Sequence, residues 1–505
     1  MMKKLVSLLL TLALALSICS FGALAEEAPV SFSIGLRVST DFNPDGNALV
    51  DAINKATNSN IDWIVWPSSN WAEKRNVSLA SNDYPDVIIV NERKNDPMYT
   101  NMVRAGKIIP LDDYIANAPN IQKYTLDSAW IAQCDPDDGK QYTIPRCTII
   151  REDYMMVRKD WMDELGIEKL ETVDDWLAYA KAVATQDPDH NGVNDTYGVT
   201  SRGGINELVS PYFTTAFHAN DGWYDDGTGT VFNGKYAKDG RFKKVLAFYR
   251  QMHEDGSIDP EFLTYKGYYE DKFEQGVSAT YWGFISHYDR ELMNLRKLYP
   301  DADLAYIPYP EDAAAGYENE TPVLTNSGVY YSWAITDKGA DRAQHIVDTF
   351  NWMLSDEGWE MLRFGVEGVH YVMKDGQREF TDLYSSEQIT KNVDIMMLRR
   401  PLDQDFWLKK LVPEVYDYQL EWYNKSTSAI WDNYQISGLL GFTATNEVAF
   451  KATDLITTEE PTLIAEIITG EKPLEAWDEF LTKVYDSGYQ EIVDEYNAYY
   501  AAHKE

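Results

Sequence analysis

The chain has 505 residues, with 45 Lys and Arg against 81 Asp and Glu and a formal charge of −36. At roughly 100–200 residues per domain this is a multidomain length, and 44% apolar with 13% aromatic residues excludes a disordered acidic tail. The acid excess excludes nucleic-acid binding through phosphates and charge-driven docking on anionic lipid, and only 3 cysteines exclude a disulfide-stapled scaffold.

In chain order, the N-terminus reads as a secretion leader. Lys3 and Lys4 precede an apolar stretch over 5–18, and Ala23-Leu24-Ala25 supplies an A-x-A cleavage site, so residues 1–25 form a signal peptide. Leu16-Ser17-Ile18-Cys19 offers a second reading as a lipobox with lipid on Cys19, but Ile18 is bulkier than the small residue such motifs carry. Cleavage after Ala25 is the favoured reading. Nothing beyond it reaches the length of about 18 apolar residues that a membrane span needs.

The next segments alternate between strand and helix. Val30–Val38 alternates as a strand, 47–57 has helical spacing, 61–66 is strand-like, and 71–81 is helical. Residues 86–90 (DVIIV) form a buried strand, followed by a helix over 96–105. This rhythm predicts an α/β, doubly wound sheet, whose ligands sit beyond the carboxyl ends of strands, here the loops 39–45 and 91–94. Cys134 and Cys147 allow a disulfide in an exported chain, or two buried thiols; the sequence leaves both open.

A second α/β block starts near residue 154. Residues 154–157 read as a strand, 161–165 and 173–184 as helices, with Thr172 and Asp175 as a capping box. Strands over 197–200 and 277–282 flank a helix over 242–255. Residues 340–354 form an amphipathic helix with Ile346, Val347, Phe350, Met353 and Leu354 on one face. The C-terminal quarter is mostly helical and rich in Trp and Tyr. No flexible linker separates the blocks.

An ordered series of stretches runs along nearly the whole mature chain: LASNDYPD at 79–86, GKIIPLDDY at 106–114, GKQYTIP at 139–145, VRKDWMDELG at 157–166, DPDHNGVNDTYG at 187–198, GSIDP at 256–260 and FGVEGVHY at 364–371. In this order they resemble the family 1 extracellular solute-binding proteins of bacterial ABC importers, nearest the large oligosaccharide-binding branch. The resemblance implies a two-lobed, periplasmic-binding-protein-like fold whose hinge is crossed three times, near 149–154, 325–330 and 365–372. Lobe one would comprise 30–150 plus 329–368, and lobe two 154–325 plus 370–505. It also implies a monomer that delivers its ligand to a membrane permease.

The stretch Asp187-Pro-Asp189-His-Asn191-Gly192-Val193-Asn-Asp195 places oxygen donors at positions 1, 3, 5 and 9 of an EF-hand-style loop. Gly192 stands at the sharp turn, and the Val193 carbonyl is available at position 7. Position 12 is Gly198 in place of the bidentate Glu. The resemblance implies a structural Ca²⁺ in this loop; the alternative is an Asx-rich turn satisfied by its own backbone.

A sugar presents apolar C–H faces and hydroxyls, so its site needs aromatic rings beside planar polar groups. Trp282, at the end of the 277–282 strand, is the first candidate. Asn91 and Glu92 follow the buried DVIIV strand, Asp41 follows the first strand, and Arg202 follows the 197–200 strand. Tyr331, Trp407 and Trp431 complete the set. No G-x-S-x-G, H-E-x-x-H or P-loop occurs, so a non-catalytic binder is preferred to a secreted glycoside hydrolase or to a receptor for peptide or another solute. Removing a leader with two lysines and no acid makes the mature chain more acidic still, which favours a neutral oligosaccharide.

Overall fold

The computed structural model describes residues 28–503 apart from 39–41, 68–69, 94–95, 149–153, 202–203, 210, 266–268, 284, 325–326, 387–396, 409–410, 434, 437–438, 441, 443 and 445–454. The leader, with Cys19 and Ala25, lies outside the described residues, as do Asp41 and Arg202. No helix among the described residues is long and apolar enough to cross a membrane. In chain order the strands are β1 (Val30–Val38), β2 (Ser59–Pro67), β3 (Val87–Val90), β4 (Ile144–Cys147), β5 (Met155–Arg158), β6 (Trp223–Asp225), β7 (Val231–Asn233), β8 (Thr280–Tyr281), β9 (Leu304–Ile307), β10 (Thr321–Leu324), β11 (Val329–Ile335), β12 (Tyr371–Lys374), β13 (Gln377–Phe380) and β14 (Gln435–Ile436).

Lobe one is built on a five-stranded sheet of order β2-β1-β3-β11-β4. β1 runs parallel to β2 and β3, while β11 runs antiparallel to β3 and β4. All four residues of β3 are buried, as a central strand covered on both faces requires. The helix Ala48–Ala56 starts where the Asn47 side chain accepts from the Leu49 and Val50 N–H groups. Its Leu49, Val50 and Ile53 enter a core shared with Ile34, Leu36, Ile88, Trp333, Ile346 and Phe350. Gly35 is required by close approach: a Cβ there would lie 2.2 Å from the Trp66 ring.

Lobe two relies less on strands. β5 sits between β8 and β9, all antiparallel. The expected 277–282 strand contracts to β8, and 197–200 is reduced to single bridges, Tyr197 to Ser278 and Val199 to Ile258. The Ser278 hydroxyl donates to the Thr280 carbonyl, 2.8 Å, a local alternative to the ladder. Packing falls to helices instead. Val173–Thr185 begins with the Thr172/Asp175 capping box, and Trp176, Phe213, Phe248, Tyr249 and Trp477 fill the larger core. A smaller core holds Met156, Tyr281, Tyr288, Leu292, Tyr306 and Trp407.

Lobe one continues past the expected boundary at 368. The β12–β13 hairpin stays on it: Phe380 stacks near Phe364 at 6.5 Å, Arg378 pairs with Glu360, and Tyr384 packs on the lobe-one core. Met397 and Leu398 are buried in that core. The Trp333 indole donates to the Met397 carbonyl, 2.5 Å, and the Trp359 indole to Asp403, 2.5 Å. The chain reaches the smaller lobe-two core at Trp407, so the last crossing lies between 403 and 407 rather than at 365–372.

Cys134 and Cys147 are free thiols, not a disulfide. Cys147 is buried beside Leu126, Ala129 and Val329, while Cys134 closes the helix Asp127–Gln133 with its sulfur directed at the Asp135 carbonyl. Burial pushes the Cys147 thiol up to about 12 and raises that of Cys134, which disfavours the thiolate form at both positions. Gly35→Ala is expected to drive a methyl group into Trp66 and cost about 1–3 kcal/mol. A denaturation midpoint equal to that of the parent chain would show that the ring moves aside freely.

Candidate functional site

The carboxyl ends of β1, β2, β3 and β4 and the start of the antiparallel β11 meet along one edge of the lobe-one sheet. This edge gathers Arg37, Asn91, Glu92, Arg146, Tyr330 and Tyr331. The pairing of β11 with β4 shifts register between Val329 and Tyr331. Such an irregularity re-aims one side chain, and Tyr330 is 43% exposed. The Tyr330 and Tyr331 ring centroids lie 4.4 Å apart. Arg37 sits 5.0 Å from the Tyr331 ring, and Arg146 and Arg399 sit 5.4 and 5.7 Å from the Tyr330 ring.

Of the residues expected in the site, Asn91, Glu92 and Tyr331 come together on this edge. Glu92 accepts from the Ser327 hydroxyl, 2.7 Å, which ties it to the crossing before β11. Tyr331 stands edge-on to Trp71 at 5.8 Å, so protein groups cover much of it. Trp282 follows β8 on lobe two, partly buried against the larger core. Beside it, a Cβ at Gly283 would meet the Tyr281 ring at 2.1 Å. Trp407 is a correction: it is 7% exposed, packs in the smaller lobe-two core, and its indole donates to the Pro401 carbonyl, 2.8 Å. Its faces therefore serve packing. Trp431 lies in the helix Tyr416–Asn433, with its side chain outside the described residues. Sequence reasoning missed Arg37, Arg146, Arg399, Trp71 and Tyr330. The tandem Tyr330-Tyr331 opening a strand and the polar Arg37 at the end of an alternating strand were the available signals.

The 187–195 loop folds on itself. Asp187 accepts from the Asn191 and Gly192 N–H groups at 3.2 and 2.9 Å. The Asn191 amide donates to Asp189 and Asp195 at 3.1 and 2.9 Å. Burial and the neighbouring Asp187 and Asp195 carboxylates hold the Asp189 carboxyl above the usual range. Position 12 has no room for a side chain, since a Cβ on Gly198 would meet the Ala180 Cβ at 2.4 Å. Among the described residues no group of three or more His, Cys, Asp or Glu side chains is arranged so as to hold a metal ion. The donor set is nevertheless all oxygen, the type that suits a hard cation.

A buried ion pair holds the lobe-one edge. Arg75, 2% exposed, binds Asp96 through two contacts at 2.5 and 3.0 Å. Asp96 also accepts from Asn91 N–H at 3.1 Å and caps the helix Pro97–Arg104 at Met98 N–H, 3.2 Å. The Arg75 guanidinium lies 5.2 Å from the Trp71 ring, and Trp71 in turn supports Tyr331. Asp96→Asn strands the buried guanidinium without its countercharge, so a loss of about 3–5 kcal/mol in folding stability is expected. Urea unfolding measures it; a loss under about 1 kcal/mol would mean that the pair is not what holds the edge.

The amino-acid sequence matches the family model for bacterial extracellular solute-binding proteins over residues 40–358. Among curated proteins it is 26% identical over 342 residues to the polygalacturonan/rhamnogalacturonan-binding protein YtcQ of Bacillus subtilis, covering 65% of this chain and 64% of that one. It is 28% identical over 252 residues to the fructooligosaccharide ABC transporter substrate-binding protein FusA of Streptococcus pneumoniae, covering 47% and 46%. The chain thus spans about two thirds and half of the lengths of these relatives. Among solved structures, the alginate-binding protein AlgQ2 without calcium ion superposes with a TM-score of 0.67 at 20% identity, covering 94% of this chain and 98% of that one. An extracellular solute-binding protein from Bifidobacterium longum subsp. infantis gives 0.67 at 18% identity, with the same coverage. With a match across more than half its length and the two-lobed fold to go with it, this chain belongs to the bacterial extracellular solute-binding protein family.

Proposed function

We propose that this protein is a non-catalytic receptor that captures an oligosaccharide between its lobes and delivers it to the membrane permease of an ABC importer. The observation that carries this is the lobe-one sheet edge. There an exposed ring, Tyr330, lies near the Arg146 and Arg399 guanidinium groups and shares the sheet edge with Asn91 and Glu92, the pairing of flat apolar faces with planar polar partners that sugar rings need. Trp282 offers a ring from lobe two. The relatives YtcQ and FusA are named for different glycans, which supports carbohydrate as the class without choosing the sugar. Ligand bound to both lobes favours the closed arrangement by its extra contacts there.

On the same reading the 187–195 loop is a structural Ca²⁺ site, with Asp187, Asp189, Asn191, Asp195 and the Val193 carbonyl as donors. Burial, and after it the neighbouring Asp187 and Asp195 carboxylates, raise the Asp189 carboxyl; a divalent cation would relieve the crowding of the three acids. The solved relatives include FusA with an altered EF-hand. Melting in millimolar Ca²⁺ should exceed melting in EGTA, and Asp189→Asn should abolish the difference; identical curves for the parent chain would reject the site.

The binding function is tested by titrating a panel of oligosaccharides and peptides under calorimetry. One-to-one binding of a glycan with no new reducing ends is the expected result. Turnover of the glycan would make the protein an enzyme, and saturable binding of peptides alone would move it to another solute class.

A further inference from the structure

Two carboxyl groups beside the smaller lobe-two core are not accounted for by ligand binding. Glu291, in the helix Tyr288–Leu295, is fully buried. Arg290 donates from Nε and Nη2 to Glu291 Oε1, at 2.8 Å for Nε, while Glu291 Oε2 is buried with no hydrogen-bond partner. The Glu274 carboxyl, at the end of the helix Tyr269–Glu274, comes within hydrogen-bond range of the Glu291 carboxyl. The Asn294 amide, one turn on from Glu291, donates to Glu274 Oε1 at 2.7 Å and holds it there.

Charge does not balance at this point. Arg290 also lies 3.6 Å from Glu270, so one guanidinium serves two acids, and among the described residues no Lys or Arg is paired with Glu274. Lys272 on the same helix is turned to Asp259 and Glu261, and Lys297 donates to the Asn294 side-chain oxygen. β8 and the turn after it bring Tyr281 and His287, bonded to each other at 2.8 Å. The helix Tyr416–Asn433 brings Gln419, which donates to the Ile285 carbonyl, and Tyr423, whose phenol burial pushes up to about 12. An ionised Glu291 would thus be buried against a second carboxylate, at greater cost than a neutral one. Burial, opposed by Arg290 and reinforced by Glu274, pushes the Glu291 carboxyl up to about 8.

We propose that Glu274 and Glu291 are a proton-binding pair. One proton on Glu291 donates to the Glu274 carboxylate and staples the two helices; its loss to solvent as pH rises leaves two facing carboxylates that push them apart. β8, Trp282 and Gly283 lie in the chain between the two acids, so the staple closes the segment that presents Trp282. The pair belongs to the empty chain and stands whether or not Trp282 meets a ligand. Where it does, as proposed above, capture weakens as the medium turns alkaline. By linkage, a carboxyl raised in the fold contributes stability in full below the ordinary Glu range, and that contribution is lost as pH rises through about 8.

The test compares the ligand-free mature chain with Glu291→Gln, whose amide donates to Glu274 as the protonated acid does, and with Glu274→Gln. Melting is followed from about pH 5 to about pH 9. At the acid end Glu291→Gln should melt with the parent chain; at the alkaline end it should melt about 3 °C or more above it, and Glu274→Gln should show the same alkaline gain. Hydrogen exchange at the alkaline end should be about ten-fold slower in Glu291→Gln between Glu274 and Glu291, with the rest of lobe two unchanged. Melting curves parallel to the parent's in whichever variants fold, or exchange altered evenly over the lobe, overturn the pair. In the parent chain alone, infrared titration should show a carboxyl losing its proton at about pH 8; no carboxyl titrating above about pH 6.5 overturns the pair whatever the variants do.

Discussion

One buried ion pair organises the edge of lobe one at which β1, β2, β3 and β4 end. A guanidinium and a carboxylate taken out of water repay their desolvation only when geometry and further hydrogen bonds are good. Here the carboxylate of Asp96 also holds Asn91 N–H and caps a helix, and the guanidinium of Arg75 also donates to the Ile89 carbonyl, 3.4 Å. The pair thereby fixes three things at once: where β3 ends, where the next helix begins, and where Trp71 stands. Tyr331 leans on Trp71, and Arg37 on Tyr331. A change at residue 75 or 96 is therefore felt at residue 331 without touching it.

Behind the edge, a second polar chain does similar work for the crossing. Gln133 donates to the Ser332 hydroxyl at 2.6 Å and accepts from Arg93 N–H at 2.7 Å. Ser128 donates to the Ser327 carbonyl, 2.8 Å. The segment that leads from lobe two back into β11 is thus anchored to lobe one by buried hydroxyl and amide groups, which are costly to leave unsatisfied. Gly328, at φ +76°, supplies the left-handed turn at which the strand begins.

Lobe one was legible because its strands declare themselves. β3 is buried on both faces and reads as an unbroken apolar run, and β1 alternates. Lobe two was less so: β8 has two residues, too few to leave a period in the sequence, and its core is set by helices whose aromatic rings pack across long separations. The arginine cluster was invisible for the same reason. Positions 37, 146 and 399 share no local pattern, and only the fold brings them to the Tyr330–Tyr331 pair. Trp407 was misread because a tryptophan in a mixed apolar and charged stretch (DFWLKK, 405–410) looks alike whether it stacks a sugar or fills a core. The lobe boundary was misplaced because Phe380, Tyr384 and Met397 pack on lobe one, contacts that no linear feature announces.

Arg399 has a further consequence. Its guanidinium is near Tyr330 on lobe one and 6.0 Å from the Trp407 ring in the lobe-two core, so one cation touches both bodies across their last crossing. Rotating the lobes apart must pull it from one ring or the other, at about 0.5–1 kcal/mol. That sum is trivial for folding, yet it would shift an equilibrium between two arrangements of the lobes by roughly two- to five-fold. A single side chain at the last crossing thereby couples the packing of one lobe to that of the other.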